Sequence, residues 1–363
     1  MESGDGLVVR VRPRLARLTA AQGRGLAEAA LRHGSGLVDL TARGNIQLRG
    51  VTTAAHPALI GELRRLGLID AVDQHILVSP YWIPGDGTET VVAALEAMLA
   101  ATRPNLPDKF GFSVSMARPS QLFRVPADIR VEYHDRGLLV RPDGFDTGAV
   151  VAGAEEAAAA ASDLVAWFLG AGGVAQGRGR MAGLWPELGP AERQRRLPAA
   201  FRAGEACREG GDPMLPGVHP LGRLVGLEFG QVRAEVLAAL ATVPLRITPW
   251  RMVLREGAAD LPDLAGLIVS PDDPALRVTA CTGAPGCPQG LQPTRDLARR
   301  LAPGVPAGQH LHVSGCAKGC AHPGPAGVTL CATAQGYDLI RSGRAADRPE
   351  GRYTTSTQLF PVP

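Results

Sequence analysis

Residues 6–13, GLVVRVRP, alternate apolar and polar side chains as a half-buried strand does. In TAAQGRGLAEAALRHG (19–34) the apolar positions fall three and four apart instead. That spacing predicts a helix, with Thr19 as its N-cap and Gly34 as its stop. LVDLTARGNIQLRGV (37–51) returns to a period of two on either side of Gly44-Asn45, a dipeptide that accepts positive φ. It reads as two short strands around a turn. A second helix is expected over HPALIGELRRLGL (56–68).

The same order of patterns recurs from residue 219. HPLGRLVGLEFG reads as a strand, QVRAEVLAALATV as a helix, PLRITPWRMVLREG as a strand pair and LPDLAGL as a short helix. Thr248 in the later strand pair matches Thr41 in the earlier one. A repeat of this length predicts two similar α+β lobes related by a pseudo-twofold axis. Between them FGFSVSM, DIRVEYH and GLLVRPDG (111–144) read as antiparallel strands, and AGAEEAAAAASDLVAWFLGAGG (152–173) as a helix. The Arg- and Gly-rich stretch 176–213 reads as a connection, partly helical. The expected units are therefore 1–70, 71–175, the connection 176–213, 214–270 and 271–363.

The bulk numbers narrow the class of protein. A charge of +3, evenly spread over 363 residues, gives no footprint for nucleic acid. No apolar run approaches the roughly 20 residues a membrane helix needs. The opening MESGDGLVVRVRP places acids before any apolar stretch and has no small-residue cleavage site, so a cytoplasmic protein is expected.

Six cysteines gather toward the C-terminus of a long chain, which points to metal rather than to a disulfide framework. TACTGAPGCPQG and SGCAKGCAHP carry Cys281-x5-Cys287 and Cys316-x3-Cys320. Four thiolates in two pairs suit a 4Fe-4S cluster or a tetrahedral zinc, with free thiols as the remaining alternative. The gap of five and the Gly- and Pro-rich loop favour the bulkier cluster. Small residues beside the sulfurs would let backbone N–H groups approach it. Cys207 and Cys331 fit neither pair, and Cys331, in VTLCATA, reads as a core thiol.

Among 38 cationic side chains only Lys109 and Lys318 are lysines. One lies in NLPDKFGF and the other between Cys316 and Cys320. A functional role for each is expected, with surface lysines that have no role as the alternative.

The segments LTARGNIQLRG, LPDKF and the paired cysteines resemble the sulfite/nitrite reductase superfamily over nearly the whole chain. SGDGLVVRVRP and LHVSGCAKGCAHPGPAGVTLCATAQGYDLIRSGRAAD look most like its precorrin-3B synthase family, the block from Gly315 to Pro323 being the most specific. The resemblance implies an α+β fold of duplicated ferredoxin-like half-domains with pseudo-twofold symmetry, plus a C-terminal region binding a 4Fe-4S cluster through Cys281, Cys287, Cys316 and Cys320. The 71–175 unit then faces the tetrapyrrole. Four cations surround the bound anion in the reductases. They fall here at Arg10, Gln74, Lys109 and Gly111, so two are missing. Arg43 matches a tetrapyrrole-carboxylate ligand.

These departures suit a ring that is substrate rather than fixed cofactor. The resemblance implies oxygen-dependent hydroxylation of precorrin-3A at C-20 with closure of a γ-lactone, in cobalamin biosynthesis. Electrons would come from NADH, a reductase or a ferredoxin, and an additional non-heme iron would meet the oxygen. The chain is expected to act as a monomer. Arg10, Arg12, Arg43, Asn45, Gln47, Lys109 and Lys318 are the expected substrate-binding residues, with Lys109 and Arg10 nearest the chemistry. Lys318 would also offset thiolate charge. Gly44-Asn45 is equally explained as a turn, Arg12 as a solvated residue, His322 as a structural residue rather than a ligand or proton donor, and His75 as packing or surface. The alternatives are a siroheme-dependent sulfite or nitrite reductase and an iron–sulfur electron carrier.

Overall fold

The computed structural model describes residues 2–69, 75–102, 104–206, 210–355 and 357–360. Among the described residues no helix is long and apolar enough to cross a membrane. The chain opens with β1 (Glu2–Ser3), β2 (Gly6–Val11), β3 (Arg17–Leu18), α1 (Ala20–His33), β4 (Leu37–Leu40), β5 (Ile46–Val51) and α2 (His56–Arg65). Thr19 caps α1 as the pattern implies. Its hydroxyl accepts from Gln22 N, and the Gln22 side chain accepts from Thr19 N.

The counterpart follows much later as β12 (Gly217–His219), β13 (Gly222–Leu227), β14 (Gln231–Arg233), α7 (Ala234–Leu240), β15 (Leu245–Ile247), β16 (Met252–Glu256) and β17 (Leu267–Ile268). The repeat is therefore real, and it holds down to single backbone angles. Leu15 and Phe229 take the same left-handed conformation after the first strand of each half, at φ 56° and 53°. Gly44 and Arg251 do so at the tip of each strand pair, at φ 64° and 62°.

The two halves exchange strands. One sheet runs β1-β2-β5-β4-β14, the other β12-β13-β16-β15-β3, so each ends in a strand from the opposite half. Gln231 pairs with Asp39, and Arg17 with Arg246. Helix α1 packs on α7, with Gly23 against Ala241 where a Cβ would come within 2.7 Å. Val9, Leu26, Leu48, Val225, Leu237 and Val253 belong to one shared core.

Three expectations are corrected. QVR opens the second half's helix in the sequence reading, but these residues form β14, because the first half's sheet edge offers them a ladder of backbone bonds. LPDLAGL forms no helix; a run this short cannot sustain one on its own, and Leu261 and Leu264 lie against the shared core instead. The middle sheet, finally, is not purely antiparallel.

That sheet has the order β11-β10-β9-β8-β7-β6. Its strands are β6 (His75–Val78), β7 (Gly111–Ser115), β8 (Ile129–His134), β9 (Gly137–Pro142), β10 (Thr147–Val151) and β11 (Glu205–Ala206). The pairs β6–β7 and β7–β8 are parallel, and the rest antiparallel. Helix α3 (Thr88–Thr102), which crosses between β6 and β7, makes the first pair parallel. It packs with α4 (Ala154–Gly170) over the sheet. The stretch read as a connection is built into this unit. It supplies α5 (Pro190–Arg195), α6 (Ala199–Arg202) and β11, and buries Met181, Leu197 and Phe201 in the middle core.

The C-terminal region adds β18 (Val278–Ala280), α8 (Arg295–Leu301), β19 (Leu311–Ser314), β20 (Ala326–Thr333), β21 (Gly336–Gly343) and β22 (Gly351–Tyr353), in one sheet in that strand order. Strands β18, β19 and β20 run parallel, so the loops after β18 and β19 leave the same edge.

Candidate functional site

Two groups of the expected residues come together separately. The first forms on the outer face of the first half-domain. Val9 and Val11 turn into the core, which sends Arg10 and Arg12 to the opposite face. Arg10 is exposed and stands directly across from Gln47 on β5. With Val8, Val9, His56 and Asp108 these two line a shallow pocket.

Arg43 follows β4 in the turn whose tip is Gly44, and its guanidinium donates to the Lys109 carbonyl. One residue thereby ties the first half-domain to the loop carrying the first lysine. Lys109 itself is exposed. The Arg43 guanidinium is pushed down to about 10, first by burial and then by Arg180, with Arg10 and Arg12 adding to it and Asp128 opposing. The charges of Arg10, Arg12 and Arg180 therefore all bear on Arg43. Crowded, partly desolvated guanidinium groups favour a polyanion that would relieve them.

Arg180 has no counterpart in the sequence expectations. It arrives from the Arg- and Gly-rich stretch and is held by Asp128, with Nε 2.8 Å from Oδ1. Asp128 is fully buried and also accepts from Met181 N and Gly111 N at 2.8 and 2.9 Å. Burial pushes this carboxyl above its ordinary range, while the Arg180 side chain and the backbone donors pull it back. Nothing local in QGRGRMAGL marks Arg180 among 38 cationic residues; only the tertiary placement of Asp128 selects it.

Gly44 accounts for the turn, and the Asn45 side-chain oxygen is buried with no hydrogen-bond partner among the described residues. A ring substituent carrying an N–H or O–H would satisfy it. Gln74 and Cys207 lie outside the described residues.

The second group is the cysteine set. Cys281 follows β18 and Cys316 follows β19, so the parallel pairing sets the two loops side by side. Cys281 N donates to Val313 O at 3.3 Å and Leu291 N to Gly315 O at 2.8 Å. Gly315 N donates to the Cys281 sulfur at 3.0 Å, where a Cβ on Gly315 would lie 3.2 Å from that sulfur. Gly315 therefore brings one backbone donor to a cysteine sulfur.

Burial pushes the Cys320 thiol up. Lys318 pulls it down, and the charges of Cys316, Cys281 and Cys287 push it up again. The four thiols thus share one electrostatic neighbourhood, and this soft donor set fits a cluster with four sulfur ligands. No three His, Cys, Asp or Glu side chains among the described residues close on a single metal ion. Lys318 is exposed and belongs to this group rather than to the Arg43 region. Cys331 is buried on β20 beside Ser314, its thiol raised to about 11, first by burial and then by Cys316.

His310 and His312 lie under the same loops, with the His322 ring 4.5 and 5.6 Å from theirs. Among the contacts described, the His322 ring makes one hydrogen bond, Nε2–H donating to Pro325 O at 3.1 Å. His312 is fully buried and neither ring nitrogen has a partner among the described residues. Arg251, from the turn of the second half-domain, donates to Ala321 O at 3.1 Å and so reaches the loop after Cys320.

Residues 1–66 match the nitrite/sulfite reductase ferredoxin-like half domain. A precorrin-3B synthase from Sinorhizobium sp is 30% identical over 398 aligned positions, covering 96% of this chain and 82% of that protein. The chain belongs to the precorrin-3B synthase family. Membership makes it an enzyme. The NirA protein of Mycobacterium tuberculosis shares the fold, with a TM-score of 0.66 and 18% identity, over 96% of this chain and 77% of that one.

Proposed function

We propose that this chain is a precorrin-3B synthase of cobalamin biosynthesis, a cytoplasmic monooxygenase that hydroxylates precorrin-3A at C-20 and closes a γ-lactone from the ring A acetate. One atom of O2 enters the product and the other leaves as water, with two electrons and two protons taken up. The observation that supports this reading most is the crowding of Arg10, Arg12 and Arg180 around Arg43. Precorrin-3A carries a fringe of acetate and propionate groups, and forked guanidinium groups bind carboxylates in pairs of hydrogen bonds.

Each residue then has a task. Arg43 and Arg180 hold carboxylates, and Arg10 and Arg12 fix the ring's register along β2. Arg43 also anchors the Lys109 loop, so ligand binding and loop position are linked through one side chain. Lys109 presents a flexible ammonium that can follow negative charge developing at the ring. Gln47 and Asn45 address neutral polar substituents. Cys281, Cys287, Cys316 and Cys320 would hold a 4Fe-4S cluster, which when bound passes electrons singly from NADH, a reductase or a ferredoxin. No ligand set for the additional iron emerges among the described residues, and no step is assigned to it.

The siroheme reductase alternative gains nothing from the geometry. The position where a second lysine is needed is Gly111, buried, with its N–H committed to Asp128.

The test is turnover of precorrin-3A under labelled oxygen by anaerobically purified protein. One labelled oxygen in the product supports the reading. Stoichiometric siroheme with sulfite or nitrite reduction, and no labelled product, overturns it.

A further inference from the structure

Arg49, on β5, is 5% exposed and uses every arm of its guanidinium. Nε and one terminal nitrogen hold the Asp5 carboxylate at 2.9 Å each. The other terminal nitrogen reaches Asp39 at 3.1 Å. The first terminal nitrogen also donates to Ser3 Oγ and to the carbonyl of Gly286, both at 2.9 Å. Ser3 Oγ donates to that same carbonyl at 2.8 Å.

The Gly286 carbonyl belongs to the peptide that ends in the Cys287 nitrogen, and that nitrogen donates to Gly283 O at 2.8 Å. Both sides of the peptide are therefore fixed, one by Arg49 and Ser3 and the other by the loop itself. The approach is close: a Cβ on Gly4 would lie 2.5 Å from Pro285 O. Asp39 extends the network, since its other oxygen accepts from Gln231 at 2.8 Å and from Arg295, at the start of α8, at 3.3 Å.

The pseudo-twofold axis supplies an internal comparison. Arg246 and Glu256 occupy the places of Asp39 and Arg49 with the charges reversed, and Arg17 stands where Gln231 stands. That network turns toward the middle unit, with Arg246 donating to the Pro80 and Trp82 carbonyls.

We infer that Arg49 is a positioning residue for Cys287, holding the Gly286–Cys287 peptide so that this thiol is set for the cluster. The inference rests on the cluster reading of the four cysteines. The loop's own bonds, Cys287 N to Gly283 O and Gly290 N to Cys287 O, fix its internal turn, whereas Arg49 and Ser3 tie that turn to the first half-domain. Residues that orient metal ligands commonly change metal retention by about 10–100-fold when removed.

The experiment compares anaerobically purified wild type, Arg49→Gln, Ser3→Ala and Glu256→Gln. It measures iron and acid-labile sulfide, the electron paramagnetic resonance spectrum after reduction, and the rate of iron loss to a chelator. The expected result is iron loss about tenfold faster and an altered spectrum in Arg49→Gln. A smaller change in the same direction is expected for Ser3→Ala, which leaves the ion pairs in place and remains informative if Arg49→Gln fails to fold. Glu256→Gln should keep the wild-type rate and spectrum even where it lowers thermal stability. Wild-type behaviour of the Arg49 and Ser3 variants overturns the inference, as does an equal effect of Glu256→Gln. Wild type without iron and sulfide overturns the cluster reading itself, and the inference with it.

Discussion

Thr41 and Thr248 make the same pair of hydrogen bonds in the two halves of the molecule. The Thr41 hydroxyl accepts from Arg43 N and Asn45 N at 3.3 and 3.2 Å, and the Thr248 hydroxyl from Trp250 N and Met252 N at 3.3 and 3.1 Å. Each threonine thus shapes the turn that reaches out of its half-domain, Arg43 toward the Lys109 loop and Arg251 toward the loop after Cys320. Thr248 is fully buried, so Thr248→Val leaves two N–H groups without an acceptor. The expected cost is about 1–3 kcal/mol, read as a lower thermal midpoint, with Thr248→Ser near wild type. Equal midpoints for the Val and Ser variants would show that the hydroxyl is dispensable.

Arg180 is held in place by Asp128 and adds its charge to Arg43. Arg180→Gln should weaken precorrin-3A binding by roughly tenfold or more, the size of a lost charge-assisted hydrogen bond of about 1.5–3 kcal/mol. Steady-state kinetics would show a raised KM with iron content unchanged. A wild-type KM would remove Arg180 from the carboxylate site.

Cys316→Ser and Cys331→Ser should differ sharply although both thiols lie near the same loops. The first removes one of the four proposed cluster ligands, and iron and sulfide should fall together. Cys331 is buried on β20 with a raised thiol, so its serine variant should keep both at wild-type levels. Cluster loss in the Cys331 variant alone would contradict the assignment of ligands.

His310 and His312 titrate at about 4 and about 3, lowered first by burial, then by His322, with Arg251 adding to both. Unfolded histidines take up a proton near pH 6.5, so between there and pH 3–4 the unfolded chain binds more protons than the folded one. Stability should therefore decline as the pH falls from about 6.5 toward 4. His312 offers no hydrogen bond to lose, and His312→Leu should flatten that decline while leaving stability at pH 7 near wild type. Denaturation midpoints across this range check it; an unchanged pH slope, or a large loss at neutral pH, counts against the reading.

The repeat and the cysteine pairs were legible because both are written as spacing. Thr19, Thr41 and Thr248 sit at positions where local chemistry decides the backbone. The strand exchange was not legible, since β3 and β14 are two and three residues long and owe their conformation to a partner some 200 residues away. The chain's many arginines hid Arg49 and Arg180, which differ from their neighbours only in what the fold places beside them. Helix α3 was missed because its TVVAALEAML run carries little polar alternation. Asp86, which accepts from Thr88 N at 2.8 Å and from Ile83 N at 2.9 Å, was the available signal for its start.

The exchange of β3 and β14 sets an order on the making of the molecule. All six strands of the middle sheet lie between residues 75 and 206, so that sheet has every strand partner as soon as it leaves the ribosome. The first half-domain, though synthesised earlier, cannot complete its sheet until residue 233 has emerged, nor find a place for β3 until residue 246 has. Its long-range pairings close late. During synthesis the oldest part of the chain waits for partners made some 200 residues later.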